Sequence, residues 1–271
     1  MHATSAASLA AAEKELGTQL ASASDAMRVA EDFFGLADIL RDNGPLKRAL
    51  TDNGRDAADR QALVESLLAS HVTPQTLDVV KVVAGSEWSD PDDLREACEV
   101  LGIIATMTDA KRAGQLKDVE GEIFGVQQLF ASDRDLRMQL SDFGFGDPHD
   151  RAALSDKLLG DKVTKWTKRL VHRAVGRSQH GHLLANLRRY EARASEIEGQ
   201  QLVTIVSASE LSAAQVERLG AVLEKRLGRP VMINSTIEEG LVGGFRMLLG
   251  TTSVDASIAT QVRDLKRELA H

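Results

Sequence analysis

Apolar positions along the first hundred residues recur at helical spacing and are interrupted by helix-breaking residues. Leu9, Leu16 and Leu20, with interleaved alanines, trace one face of a first helix. Val29, Phe33, Leu36 and Leu40 trace a second, which Asn43-Gly44-Pro45 breaks. Leu46 and Leu50 make a brief helix ended by Asn53-Gly54, and Ala62, Leu63, Leu67 and Leu68 form the next. Thr73-Pro74 supplies an N-cap and a proline at the first helical position, opening a helix through Val83 that Gly85 closes. Ser89-Asp90-Pro91 starts a sixth helix, carried by Leu94, Cys98, Leu101 and Ile104.

The same pattern returns about 90 residues later. Phe34 to Gly54, "FGLADILRDNGPLKRALTDNG", lies without a gap over Phe124 to Gly144, "FGVQQLFASDRDLRMQLSDFG". After a one-residue insertion, Asp59 to Gly85 matches Asp150 to Gly176 with eleven of 27 positions identical, too many and too spread for shared composition. A period this long exceeds a solenoid unit and indicates a duplicated helical domain. The helix around Leu94 to Met107 lies one period after the N-terminal helix. The spacing therefore predicts that it ends one bundle and opens the other.

Beyond Glu198-Gly199 the texture changes. Leu202 to Ser207, "LVTIVS", is β-branched and of strand length. Ser212-x-x-Gln215 forms a capping box for a helix bearing Val216, Leu219, Leu223 and Leu227, and Gly228 and Pro230 end it. Val231 to Ile237 reads as a second strand and Leu241 to Gly250 as a third. Asp255 caps a last helix with Ile258, Val262, Leu265 and Leu269 in one stripe. The expected fold is mainly α with a small C-terminal α/β domain: two tandem helical bundles, then a strand-helix-strand-strand-helix unit. The predicted boundaries are 1–107, 108–198 and 199–271. About 70 residues is little for an independent core, so the last unit is expected to lean on a partner.

Composition narrows the function classes. A formal charge of −7 argues against general affinity for nucleic acid or acidic membranes. Cys98 is the sole cysteine, which rules out an internal disulfide or a Cys-based zinc site and fits a reducing compartment. No stretch approaches the roughly 20 apolar residues of a membrane span, and the N-terminus lacks the basic start and apolar block of a secretory signal. A soluble protein is expected.

Candidate chemistry is sparse. The glycine run Gly240 to Gly250 precedes a helical pattern, where backbone N–H groups could cradle phosphate. Yet it lacks both G-x-x-x-x-G-K-[ST] and G-x-G-x-x-G, and Gly243-Gly244 falls within a strand pattern, where glycine serves shape. His172, His180 and His182 stand in a stretch from Lys162 to Tyr190 without carboxylates, a field that repels cations, so they read as solvated or helix-end residues. No G-x-S-x-G elbow accompanies any Ser-His-Asp combination. No enzyme, cofactor or metal is expected. The basic stretch 162–189 has two readings. It is either a solvated helix face or a docking surface for an acidic protein through Lys165, Lys168, Arg169 and Arg173, where the first copy has Pro74, Leu77, Asp78 and Val82. Nucleic acid is the weaker version of the second reading, since aromatic interleaving is limited to Trp166 and Tyr190.

A helical domain, then strand-helix-strand, then "VGGFRMLLG" and "DASIATQVRDL" resembles the delta subunit of bacterial F-type ATP synthases, relative of the mitochondrial oligomycin-sensitivity-conferring protein. The resemblance rests on Gly243, Gly244, Gly250, Asp255, Ser257, Ile258 and Leu265 in combination. The order of helices in residues 1–107 also resembles that family's six-helix bundle. The second helical copy departs from the common member and is similar to actinobacterial delta subunits. The opening "SLAAAEKEL" departs from the family's Tyr-Ala-x-Ala-Leu-like start.

The resemblance implies a non-catalytic stator subunit on the cytoplasmic face of the cell membrane, held there through its complex. It implies helical grooves gripping N-terminal segments of the alpha subunits, and a C-terminal domain joined to subunit b of the peripheral stalk. On this chain the implied head contacts are Leu36, Leu40, Leu50, Leu63, Leu67, Val79 and Val83. A nucleic-acid or acidic-protein adaptor acting through residues 162–189 is the alternative.

Overall fold

Helix boundaries follow the caps that the chain carries. In the computed structural model, which describes residues 1–141, 147–177, 182–207, 209–237 and 245–249, six helices precede Gly114. They are α1 (Ala3–Ser22), α2 (Ala26–Asp42), α3 (Gly44–Leu50), α4 (Ala57–Leu68), α5 (Pro74–Gly85) and α6 (Pro91–Arg112). Asn43 both ends α2 and caps α3, its side chain accepting from the Leu46 amide at 3.0 Å. Thr73 and Asp90 cap α5 and α6, each followed by a proline that has no N–H to satisfy. The α6 helix runs past Met107 to Arg112 and stops before Gly114 at φ +71°, a left-handed turn that glycine adopts without strain.

These six helices form one compact unit, residues 1–114. The α2 and α6 helices pack along their lengths, α1 lies on α5 and α6, and α4 on α5. Leu16, Phe33, Phe34, Leu94, Leu101 and Met107 are fully buried at its centre. Gly102 lets α6 approach α2: a Cβ there would stand 2.6 Å from the Phe34 ring and 3.2 Å from the Ala30 carbonyl. Phe34 is itself buried and has nowhere to move. Gly102→Ala is therefore expected to destabilise this unit by about 1–3 kcal/mol through overpacking, measured as a lower urea midpoint at unchanged slope.

The second unit, residues 115–271, opens with α7 (Leu116–Ser132), α8 (Arg134–Leu140), α9 (Pro148–Leu159), α10 (Lys165–Arg177) and α11 (Leu183–Glu198). The duplication extends to the polar interior. Asp133 caps α8 as Asn43 caps α3. The Ser141 hydroxyl donates to the Arg137 carbonyl as Thr51 donates to Lys47. Arg151 is buried like Arg60, which ties the α3–α4 turn to the end of α5 by donating to the Asp52 and Gly85 carbonyls at 3.0 and 3.2 Å.

The α/β part follows as β1 (Gln201–Ser207), α12 (Ala213–Leu227), β2 (Val231–Ile237) and β3 (Phe245–Leu249). The strand order is β2-β1-β3, with β1 parallel to β2 and antiparallel to β3. The Ser212–Gln215 capping box is formed, and Gly228 ends α12 at φ +68°. Val203, Ile205, Leu219, Leu223, Met247 and Leu249 make its core. The family-type positions Gly243, Gly244, Gly250, Asp255, Ser257, Ile258 and Leu265, and the expected last helix, lie outside the described residues.

Candidate partner-binding site

An apolar recess lies in the first unit, where side chains of α2 to α6 converge. It holds about 480 Å³ of space partly open to solvent, walled by Leu36 and Leu40 of α2, Leu50 of α3, Val64 of α4, Val83 of α5 and Leu94 of α6. Its mouth is formed by Ile39 and Leu67, which keep 47% and 46% of their surface in water, a high share for large aliphatic side chains. Cys98 lies in the wall, and burial pushes its thiol up to about 12, so it stays neutral and acts as a small hydrophobe.

Five of the seven positions expected to touch a partner, Leu36, Leu40, Leu50, Leu67 and Val83, line this recess. Val79 is fully buried and Leu63 half-buried, and neither lines it. Ile39 escaped the sequence reading because it flanks the stripe of α2 and reaches water. Its partner across the duplication was the available signal: Leu129 and Leu158 stand where Ile39 and Leu67 stand in the first copy, and they are 41% and 37% exposed. Both copies therefore expose large apolar side chains at matching positions.

A carboxylate latch ties α2 to the start of α5. Asp32 of α2 accepts the Thr73 amide at 2.8 Å and the Thr76 hydroxyl at 3.0 Å, while Arg28 pairs with its other oxygen. Glu122 of α7 holds Thr164 and Thr167 of the second copy in the same way. A carboxylate at a helix N-terminus satisfies orphan amides and complements the helix dipole.

The basic positions are dispersed in depth. Lys165 is exposed, its ammonium 4.6 Å from the Trp166 ring centre; Lys168 and Arg169 are half-buried, Lys168 donating to the Gly160 carbonyl; Arg173 is buried. His172 meets Asp156 of α9 at 2.9 Å, a carboxylate supplied from outside its own stretch of chain. Among the described residues no three His, Cys, Asp or Glu side chains gather as a metal site, and no helix is long and apolar enough to cross a membrane.

Comparison with known proteins places this architecture. The family model described as ATP synthase delta (OSCP) subunit matches residues 104–269, the second helical copy with the α/β part. The chain is 35% identical to the ATP synthase subunit delta of Kineococcus radiotolerans, over 97% of this chain and 96% of that one. Identity is 35% to the subunit delta of Beutenbergia cavernae, covering both chains fully, and 32% to that of Streptomyces coelicolor, covering 100% and 98%. The family's own pattern thus falls on the second copy, whereas these relatives align along the first copy as well. These relatives align over nearly the whole of this chain and of their own length, and the chain belongs to the ATP synthase delta (OSCP) subunit family.

Proposed function

We propose that this chain is a non-catalytic peripheral-stalk subunit that ties the catalytic head of an F-type ATP synthase to its membrane sector. In this reading the helical copies grip apolar N-terminal segments of the alpha subunits, and the α/β part joins subunit b. The chain then lies on the cytoplasmic face of the membrane through its complex, with residues 1–107, 108–198 and 199–271 as three working parts. The observation that carries the reading is the recess of the first copy with Ile39 and Leu67 at its mouth, repeated in outline by Leu129 and Leu158. An amphipathic helix recognises such a groove through apolar side chains spaced one turn apart.

A stator must resist torque, which calls for several anchoring points on stiff elements. Linked modest contacts raise total avidity through effective concentration, without any one contact being tight. The purified chain is expected to bind peptides of the alpha-subunit N-terminus and of subunit b. Membranes lacking it are expected to hydrolyse ATP without building a proton gradient. Absence of binding to both peptides, measured by calorimetry, would sink the proposal.

A further inference from the structure

The β2 strand touches the second helical copy through alternate residues. Met232, Asn234 and Thr236 share one face, as the period of two requires. Ser195 of α11 lies 3.8 Å from the Met232 sulfur, Asn234 Nδ2 donates to Glu191 of α11, and Gln128 of α7 donates to Thr236 at 3.1 Å. Val231 and Ile233, on the other face, pack on the core beneath α12. The small α/β part thus finds support in its own chain, through these β2 contacts and through β1, which packs on α11 with Leu202 and Val206 buried.

Two carboxyl groups sit in the seam. Glu120 of α7 and Glu191 of α11 are 1% and 2% exposed, and among the described residues neither has an ion-pair partner. The Ser195 hydroxyl donates to one Glu120 oxygen, while the other is buried without a hydrogen bond among the described residues. In the first copy the position matching Glu120 is Ala30, so the acid belongs to the copy that carries the sheet. A buried carboxylate without a counter-ion is costly, and a second one nearby more so.

We propose that Glu120 and Glu191 form a pH-gated clasp between the second helical copy and the C-terminal sheet, closed while the pair is protonated and loosened when both groups ionise. Burial pushes Glu120 up to about 7; the Glu198 charge adds to this, and the Ser195 hydrogen bond and Lys117 oppose it. Burial, then the charge of Glu120, pushes Glu191 up to about 8 against Arg188. The two protons leave in successive steps that belong to the pair. Among the packed elements, β1 and β2 bring no titratable side chain, and α10 brings buried Arg173 with half-buried Lys168, Arg169, His172 and Arg177.

Both groups are raised above the ordinary value of 4.5. The unfolded chain therefore releases these protons first. The clasp's contribution is complete below about pH 4.5, falls as pH rises through about 7 and then about 8, and levels off above that.

Hydrogen exchange of the full chain tests it, with rates corrected for the intrinsic pH dependence of exchange. Between pH 6 and pH 9, protection of the 201–207 and 231–237 amides is expected to fall at least ten-fold relative to α2 and α6. In the Glu120→Gln/Glu191→Gln double variant this ratio is expected to stay flat. A flat ratio in the wild-type chain, or an unchanged fall in the double variant, overturns the proposal. Should the double variant not fold, infrared spectroscopy of the wild-type protein decides: a protonated-carboxyl band present at pH 6 and lost by pH 9 supports the clasp, and its absence at pH 6 overturns it.

Discussion

Glutamate at both Ile39 and Leu67 is expected to weaken binding of an alpha-subunit N-terminal peptide by about 100-fold, some 2.7 kcal/mol. Both side chains reach water at the mouth of the recess, so the fold should tolerate the change; exposed substitutions usually shift stability by about 0.5 kcal/mol or less. In the complex the two carboxylates would have to shed water against apolar walls that offer no counter-charge. The measurement is a calorimetric titration, with circular dichroism to show that the helices persist. The matching variant, Leu129→Glu with Leu158→Glu, acts as the comparison. If it alone removes binding, the peptide sits on the second copy, where the family pattern falls. If neither variant changes the affinity, both apolar pairs lose their assigned role.

Much of this architecture was legible because helix periodicity and caps are local. The six helices of the first unit, the capping box at Ser212 and the turn at Gly228 follow from residues within a few positions of one another. The duplication was legible too, since two copies of a pattern need no structure to be compared. What escaped were contacts fixed by packing across long separations. The acids at 32 and 122 and the threonine pairs at 73/76 and 164/167 keep their register across the repeat, yet only the approach of α2 to α5, and of α7 to α10, turns them into latches. The Glu120–Glu191 pair was less visible still. Glu120 breaks the repeat, and nothing in its neighbourhood announces that Ser195 of α11 will donate to it or that Asn234 of β2 will meet Glu191. The basic stretch shows the converse limit: like charges in one segment were read as one face, but packing gives Lys165 to water and Arg173 to the interior.

Removing the latch carboxylates is expected to cost about 2–3 kcal/mol in each unit, by Asp32→Ala in the first and Glu122→Ala in the second. Each carboxylate accepts a backbone amide at the start of a helix and hydroxyls from the same turn. Hydrogen bonds to a charged group are worth about 1.5–3 kcal/mol, and deletion also leaves the Thr73 or Thr164 amide without its acceptor. The loss of negative charge at the helix N-terminus adds to the effect. The two tryptophans make the outcome readable unit by unit. Trp88, buried with its indole donating to the Val83 carbonyl, reports on the first unit; Trp166, buried on α10, reports on the second. With the other tryptophan replaced by phenylalanine, urea unfolding of Asp32→Ala should shift the Trp88 transition and spare Trp166, and Glu122→Ala should do the reverse. Lesions in separate units with no shared partner should add. Asp32→Asn separates the contributions, since the amide oxygen still accepts hydrogen bonds but the charge that meets Arg28 and the helix dipole is gone. A clamp that carries torque depends on the opening free energy of its least stable unit. In the proposed stalk role both units would have to hold, and a shift confined to one transition for both lesions would show that the two latches do not act separately.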